Sequence, residues 1–300
     1  MTEDIRDKPY LNHEDILGQN FIRAPGIYLY RRHYSQGLRS HIMEVLDPKD
    51  VENEAKGIMI DGFMWYPRAE PLKMLRIYRT RFKNIEDGEE ELKRVRIVET
   101  YLAPDYVARS EEFLTDYTRR EKHEILLCGL QEYVKGEVLD PWSHLDKDHL
   151  ISLLRDMGFD MGRDSVMIAD RWIHSVREKA GNFIGKVKQM IVEANHVPDL
   201  AGVGNLLLTR SGDIKLVDIN NISNLSFDAI INLDDRGYPV CDKSIQALSM
   251  LEQKLLGRPL DRNDLIYKTF LDPKRMEEVQ AIEEEFHLPM KPAMSYSETS

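Results

Sequence analysis

The chain has 300 residues and a formal net charge of −11, with 31% charged and 42% hydrophobic residues. This composition is typical of a soluble globular protein that buries a sizeable core, in two modest domains or one two-lobed domain. The negative balance argues against a general nucleic-acid binder, because no overall positive field would attract a phosphate backbone.

Cysteine content and hydropathy restrict the class of protein further. Cys128 and Cys241 are the only two cysteines and are far apart in sequence, which excludes a disulfide framework and a thiolate zinc site. The N-terminal sequence is acidic and polar, unlike a secretory signal. No run approaches the roughly 20 apolar residues that span a bilayer. We therefore expect a cytoplasmic protein with no membrane partner.

The first part of the chain is predicted to be rich in strands. Aromatic and β-branched residues bounded by glycine and proline favour strands at residues 26–34, 57–66, 72–82 and 124–133. An acidic stretch at residues 86–91 leads into a predicted helix, which ends near Pro104. The apolar residues of that helix are Leu92, Val95, Val98 and Leu102.

The second part of the chain is predicted to be helical. From Ser165 to Glu193, apolar residues recur at intervals of three and four, as on one face of a long helix. They are Val166, Ala169, Ile173, Val176, Ala180, Ile184, Val187 and Ile191. Asn195 and Pro198 should end this helix. Later helices are predicted at residues 242–256 and 274–286, and residues 291–300 are predicted to be a disordered tail.

A predicted hairpin interrupts the helical part. It lies within residues 196–223, HVPDLAGVGNLLLTRSGDIKLVDINNIS. Residues 204–208 and 214–219 supply the strands, and SGD supplies the turn. Because a hairpin brings its outer ends together, we expect Asn205 and Asp218 to lie side by side.

The polar residues at the ends of this hairpin suggest metal and proton chemistry. An amide oxygen beside a carboxylate suits Mg²⁺, which takes few protein ligands and completes its shell with phosphate and water. Asp199 lies just upstream on a glycine-rich loop, where a carboxylate can accept a proton from a substrate hydroxyl. The alternative interpretation is a surface hairpin whose Asp and Asn residues serve as turn and cap residues.

The same stretch resembles the catalytic and metal-binding loops of the protein-kinase-like superfamily. In that family a loop Asp is the catalytic base, and a following Asn and the Asp after the next strand bind magnesium. Asp199, Asn205 and Asp218 fall in that order, and the 13-residue interval NLLLxxxGxIKLVD is similar to the family's. The preceding long helix stands where the family places the helix that leads into its catalytic loop.

This resemblance implies an α+β, bilobal protein-kinase-like fold. Residues 1–133 would form a strand-rich N-terminal lobe with one long helix, and residues 134–290 a mainly helical C-terminal lobe. The implied activity is ATP- and Mg²⁺-dependent phosphotransfer, with a nucleotide as one partner and an unknown phosphate acceptor, either a small molecule or a protein. An atypical or small-molecule-kinase-like member fits the sequence better than an ordinary protein kinase.

The resemblance also implies roles in the N-terminal lobe. Backbone groups near Gln131, Glu132 and Tyr133 would meet adenine. Lys73 would bind phosphate with Glu99 as its partner; the alternative is a solvated ion pair. Arg76, on the opposite face of the same strand, is a competing cation.

The chain departs from the family's pattern in several places. The interval from Asp199 to Asn205 is one residue longer than usual, Val197-Pro198 replaces the common pair before the catalytic Asp, and Ile219-Asn220 stands in place of Phe-Gly. No convincing glycine-rich phosphate loop precedes the strands. The longer loop and the missing glycine-rich loop indicate an alternative function, a pseudokinase or scaffold that binds nucleotide and regulates a partner without turnover.

Two further features have alternative interpretations. The basic stretch at residues 68–83 interleaves six Lys and Arg residues with aromatic residues, which resembles a surface for RNA or another anionic partner. A solvated strand, balanced by the acidic residues at 86–91, is the other interpretation. His196 either orients the loop that follows or caps the preceding helix.

Overall fold

The computed structural model describes residues 3–24, 26–34, 37, 39–119, 122–159, 165–261 and 263–288. The chain divides into two compact units: unit 1 comprises Met1–Arg96 and Ala108–Lys135, and unit 2 comprises Ile97–Val107 and Gly136–Ser300. The lobe boundary predicted at residue 133 stays a prediction. The predicted disordered tail, residues 291–300, lies outside the described residues.

Unit 1 is strand-rich and unit 2 is mainly helical, so the predicted α+β class is confirmed. The elements that begin in unit 1 are α1 (His13–Leu17), β1 (Leu29–Arg32), β2 (Ser40–Leu46), α2 (Pro48–Lys56), β3 (Ile58–Ile60), β4 (Phe63–Trp65), β5 (Lys73–Tyr78), α3 (Ile85–Leu102), β6 (Ser110–Arg119) and β7 (Lys122–Glu132). Five of these strands form an antiparallel sheet in the order β1-β2-β5-β7-β6.

The core of unit 1 lies against one face of this sheet. Alternate residues of the three central strands point to that face, as the period of two in a strand requires. They pack against three apolar residues of the N-terminal segment, each at most 2% exposed. These core residues are Met43, Val45, Leu75, Ile77, Leu126 and Cys128 from the strands and Ile5, Leu11 and Ile16 from the N-terminal segment. Their burial holds the N-terminal segment to the sheet.

Three of the four strands predicted in the first part are confirmed, as β1, β5 and β7. The single strand predicted at residues 57–66 is wrong, because these residues form the hairpin β3–β4 with Ile60 opposite Phe63. Asp61 (φ 49°) and Gly62 (φ 82°) both have left-handed backbone, as a type I′ turn requires of its two central residues.

Two strands of the sheet, β6 and β2, were not predicted. β6 pairs with β7 along its whole length. β2 is buried throughout and includes Glu44, which is 1% exposed. Arg31 Nε donates to Glu44 at 2.7 Å, and His33 Nδ1 lies 2.9 Å from the same carboxylate. A buried carboxylate requires such partners, since an isolated charge in the interior is very costly.

The helix predicted downstream of the acidic stretch is confirmed as α3, which begins earlier than expected. Val95, Val98 and Leu102 are buried along one side of it. The acidic residues form its first turns, where negative charge interacts favourably with the helix dipole. Asn84 Oδ1 accepts from the Asp87 N–H at 2.9 Å and so caps the N-terminus.

Unit 2 contains the long helix, the hairpin and the later helices that were predicted. Its elements are β8 (Gly136–Val138), α4 (Lys147–Asp156), α5 (Ser165–Ala194), β9 (His196–Pro198), β10 (Leu206–Thr209), β11 (Ile214–Leu216), β12 (Ile222–Asn224), α6 (Val240–Met250) with a π-helical turn (Leu251–Leu255), α7 (Leu265–Phe270) and α8 (Pro273–His287). Among the described residues, no helix combines the length and apolar composition that crossing a bilayer requires.

Helices α5 and α6 form the centre of unit 2. The predicted apolar face of α5 is buried from Ala169 to Ile191, but Val166 is 69% exposed, so its assignment to that face was wrong. Asn195 (φ 54°) ends the helix in the left-handed conformation, as predicted. Every residue of α6 from Val240 to Ser249 is buried. This helix therefore provides a fixed support for the loops that pack on it.

Candidate functional site

The predicted hairpin is present as β10 and β11, and it places Asn205 and Asp218 at the same end. The strands are antiparallel, with Leu206 opposite Leu216, and β8 pairs with the other edge of β10. Beyond the last paired residues, the Val217 N–H donates to the Asn205 carbonyl at 2.9 Å. Asn205 and Asp218 thus emerge from adjacent strands at the open end of the hairpin.

Asn205 is bonded directly to the loop that carries Asp199. Its side-chain Nδ2 donates to the Asp199 carbonyl at 2.9 Å, and its backbone N–H donates to Gly202 at 3.1 Å. The loop turns at residues 202–205, where Gly204 has a φ of 92°. Because the amide nitrogen is engaged, the amide oxygen of Asn205 is the atom that can bind a ligand.

The Asp199 carboxylate accepts three hydrogen bonds. Oδ1 accepts from the backbone N–H groups of Ala201 and Gly202, both at 3.0 Å. Oδ2 accepts from Asn221 Nδ2 at 2.7 Å. These bonds hold the side chain in one orientation within a half-buried environment.

Two opposing effects act on the ionisation of Asp199. Burial raises the pKa of this carboxyl group, and the negative charge of Asp218 raises it further. The hydrogen bonds from Gly202, Asn221 and Ala201 stabilise the ionised form and oppose the rise, but the net pKa remains above its ordinary value. The hairpin places Asp218 at the same end as Asn205, whose side chain is bonded to Asp199.

Backbone contacts hold the rest of the loop. The Leu200 N–H donates to Ser244 Oγ of α6 at 3.2 Å, and Trp142 Nε1 donates to the Ala201 carbonyl at 3.0 Å. Both side chains come from outside the loop, one of them from the fully buried helix. The backbone around Asp199 is therefore fixed by long-range contacts as well as by its own turn.

The donor atoms at this site are compatible with magnesium. The Asn205 amide oxygen and the Asp218 carboxylate are hard oxygen donors, and Mg²⁺ is commonly held by one or two carboxylates while keeping water or phosphate in its shell. The two neighbouring negative charges of Asp199 and Asp218 would be neutralised by a divalent cation. No group of three or more His, Cys, Asp or Glu residues suited to a metal occurs in the described part of the chain.

The predicted phosphate-binding residues lie in different units. Lys73 is exposed at the start of β5, whereas Arg76 in the same strand is only 6% exposed. Arg76 lies opposite Gly129, which lies opposite Glu112, so that these three residues share one face of the sheet. Glu99 is half-buried near the end of α3, in unit 2. The roles assigned to Lys73 and Glu99 stay predictions.

The predicted adenine-binding residues lie at the end of β7. Gln131 is 2% exposed. Glu132 is bonded twice to Arg109: its N–H donates to the Arg109 carbonyl at 2.8 Å, and its carboxylate accepts from the Arg109 N–H at 2.9 Å. Burial raises the pKa of Tyr133. The proposed contact with adenine stays a prediction.

Two of the alternative interpretations can be compared with observed contacts. His196 Nδ1 donates to the Ala194 carbonyl at 2.6 Å, so this side chain caps α5. In the basic stretch, Arg79 donates to the carbonyls of Arg6 and Lys8, and Arg81 donates to Asp7 at 2.7 Å. These two guanidinium groups are engaged within unit 1.

Sequence reasoning missed the residues that hold Asp199 in place, namely Asn221, Ser244 and Trp142. No local pattern marks them, because each acts across a long stretch of chain. Asn221 is the nearest to a detectable signal, since it follows the predicted ligand Asp218 by three residues. Its role depends on the pairing of β9 with β12, which no sequence pattern indicated.

Comparison with known proteins finds similarity among solved structures. No family model matches the chain, and no curated protein matches it. Among solved structures, the chain is similar to the ROP18 kinase domain in complex with AMP-PNP and sucrose, with 11% sequence identity and a TM-score of 0.36. The match covers 86% of this chain and 79% of that chain. Similarity at this level leaves the function to be judged from the chain's own residues.

Proposed function

We propose that this chain is an ATP- and Mg²⁺-dependent phosphotransferase of the protein-kinase-like superfamily. The observation that supports the proposal is the convergence of Asp199, Asn205 and Asp218 at the open end of one hairpin. Their order and spacing resemble those of the catalytic base and the two magnesium ligands of that superfamily. The acceptor is a small molecule or a protein that carries a hydroxyl group.

Each of the three residues has a distinct role in the proposed reaction. The Asn205 amide oxygen and the Asp218 carboxylate would hold magnesium, which when bound neutralises charge on the phosphates. Asp199 accepts the proton of the acceptor hydroxyl as the hydroxyl oxygen forms a bond to the γ-phosphorus. The bond from that phosphorus to the β-phosphate oxygen breaks, and ADP leaves with the bonding electrons.

Nucleotide-dependent thermal stabilisation tests the metal assignment. Mg·ATP should raise the unfolding temperature of the unaltered protein, because a ligand that binds the folded state stabilises it. Asp218→Ala should abolish the magnesium-dependent part of this rise. Asp156→Asn, which alters an exposed carboxylate at the end of α4, is the matched control and should keep it. Full stabilisation of Asp218→Ala by Mg·ATP would refute the metal assignment.

The second candidate is a nucleotide-binding scaffold without turnover. It is favoured by the three hydrogen bonds that already engage both oxygens of the Asp199 carboxylate. An assay of γ-phosphate release or transfer distinguishes the phosphotransferase from the scaffold. The phosphotransferase should turn over Mg·ATP, and Asp199→Asn should lose turnover while retaining nucleotide binding. Nucleotide binding with no turnover in the unaltered protein would favour the scaffold.

A further inference from the structure

Asp199 and Asn221 form a reciprocal pair. The Asp199 N–H donates to the Asn221 carbonyl at 2.9 Å, and Asn221 Nδ2 donates to Asp199 Oδ2 at 2.7 Å. The pair continues the ladder of β9 and β12, in which Pro198 lies opposite Ile222. Backbone pairing therefore fixes where Asn221 lies, and its side chain acts on the neighbouring carboxylate.

The hydrogen bonds leave few directions from which the Asp199 carboxylate can be approached. Each carboxylate oxygen has two lone-pair directions. On Oδ1 both are used, by the N–H groups of Ala201 and Gly202. On Oδ2 one is used by Asn221, so the remaining direction on Oδ2 is the one open to an incoming proton. The atom that Asn221 contacts is thus the atom that has to act as the base.

We propose that Asn221 is a positioning residue that holds Oδ2 of Asp199 in the orientation needed to receive the acceptor's proton. This inference rests on the proposed phosphotransferase function and extends it to a residue for which the sequence resemblance implied no role. A carboxylate can only accept, so the amide nitrogen of Asn221 faces it. Rotation of the carboxylate away from this orientation would break the Asn221 bond together with the two backbone bonds.

The same short segment carries both Asp218 and Asn221. Residues 218–221 therefore include one proposed magnesium ligand and the amide that orients the base. The segment is fixed at both ends: Val217 is bonded to Asn205, and Ile222 begins the paired strand β12. Asn221 orients the proposed base Asp199, and the proposed magnesium ligand Asp218 lies three residues before it. The short backbone between Asp218 and Asn221 therefore couples the orientation of the base to the position of the magnesium ligand.

Steady-state hydrolysis of Mg·ATP, with water as the acceptor, tests this inference. Asn221→Ala should lower kcat by roughly 10- to 100-fold, the effect expected when a reacting group is misplaced by about an ångström. The KM for ATP should stay unchanged, because Asn205 and Asp218 are retained. Asn221→Asp preserves the shape of the side chain but replaces the donor with a second carboxylate, so kcat should fall at least as far.

Asn224→Ala is the matched control. It removes the same amide from an exposed position on β12 and should leave kcat unchanged. Mg·ATP should still raise the unfolding temperature of the Asn221 variants, which distinguishes loss of positioning from loss of folding. In a crystal structure of Asn221→Ala, the Asp199 carboxylate should occupy more than one orientation.

The outcomes separate this inference from the function on which it rests. If Asp199→Asn is inactive while Asn221→Ala retains full kcat and an unmoved Asp199 carboxylate, the positioning role is refuted and the proposed function stands. A lower kcat accompanied by an equal rise in KM would also contradict positioning. Absence of hydrolysis in the unaltered protein, or full activity of Asp199→Asn, would refute both.

Discussion

Gly202 lies directly against the side chain of Asn205, and the space between them is too small for a methyl group. A β-carbon placed on Gly202 would lie 2.5 Å from Asn205 Nδ2 and 2.9 Å from its Cγ. The same Nδ2 donates to the Asp199 carbonyl, so it has no freedom to retreat without losing that bond. Asn205 can therefore occupy its observed position only because residue 202 has no side chain.

Gly202→Ala should therefore weaken binding of Mg·ATP. The new methyl group displaces Asn205 and breaks its bond to Asp199, which moves one proposed magnesium ligand. We expect a smaller nucleotide-dependent rise in unfolding temperature and a lower rate of ATP hydrolysis. Gly185→Ala is the control, because a β-carbon there has nothing within 4 Å. Equal nucleotide binding by both variants would contradict the proposed role of Asn205.

Removing the guanidinium group of Arg275 should destabilise unit 2 strongly. Arg275 Nε donates to Asp242 Oδ1 at 2.5 Å, and Asp242 is 0% exposed. Breaking such a pair leaves an uncompensated buried charge, so Arg275→Met should lower the free energy of unfolding by about 3–5 kcal/mol. Chemical denaturation of the variant and the unaltered protein measures this difference.

A second substitution separates the charge effect from packing. Asp242→Asn, added to Arg275→Met, removes the orphaned charge and should recover part of the lost stability. Arg275 also donates to the carbonyls of Asp228 and Ile230, at 2.7 and 3.1 Å. The stability that the double variant does not recover measures the loss of these two hydrogen bonds. Absence of any recovery in the double variant would contradict the buried-charge explanation.

His41 should make unit 1 less stable in mild acid. Burial, followed by the charge of Arg79, lowers the pKa of His41 from 6.5 to about 4. Between these values the unfolded chain binds the proton and the folded chain does not, so stability falls as the pH falls through that window. The loss is on the order of 3 kcal/mol and is complete near the folded pKa.

Denaturation at a series of pH values measures this effect. His41→Asn should show a shallower fall in unfolding free energy than the unaltered protein between these two pH values. His144→Asn replaces an exposed histidine and is the control, for which the original slope should remain. Identical slopes for all three proteins would show that His41 does not provide the effect.

Both cysteines should be unreactive in the folded protein. Cys128 and Cys241 are 0% and 2% exposed, and neither forms a disulfide. Burial raises the pKa of both thiols, that of Cys241 to about 12, so the reactive thiolate is scarce at neutral pH. A chromogenic disulfide reagent should react with two thiols only after denaturant is added. Rapid reaction of a native thiol would indicate local opening of its surroundings.

The elements that could be predicted are those that local sequence determines. The three- and four-residue spacing along α5 predicts a helix because all the information lies on one face of one element. Asn195 predicts its end because that residue tolerates the left-handed backbone. The hairpin followed from a short glycine-containing turn between two apolar runs. These features depend on residues within a few positions of one another.

Two of the missed features depend on partners outside their own segment, and a third was a local signal that another pattern outweighed. Glu44 gives β2 a polar residue in what is a buried strand, and Arg31, His33 and Arg68 make its burial tolerable. The Asp61-Gly62 pair was a local signal for a turn, but the apolar run around it favoured one continuous strand. Asn221 acquires its function from the pairing of β9 with β12. For Glu44 and Asn221, the deciding interaction joins segments whose proximity is established only by folding.

Unit 2 is built from two separate segments of the chain, and this affects how a truncated protein should behave. Residues 97–107 belong to unit 2, although the chain returns to unit 1 before Gly136. Within unit 2, the Leu216 N–H donates to the Tyr106 carbonyl at 2.8 Å, and Val107 bridges to Leu216 in parallel. A fragment that starts at residue 136 therefore leaves the edge of β11 uncovered, immediately before Asp218. An uncovered strand edge pairs readily with other chains, so such a fragment should aggregate where the full chain does not.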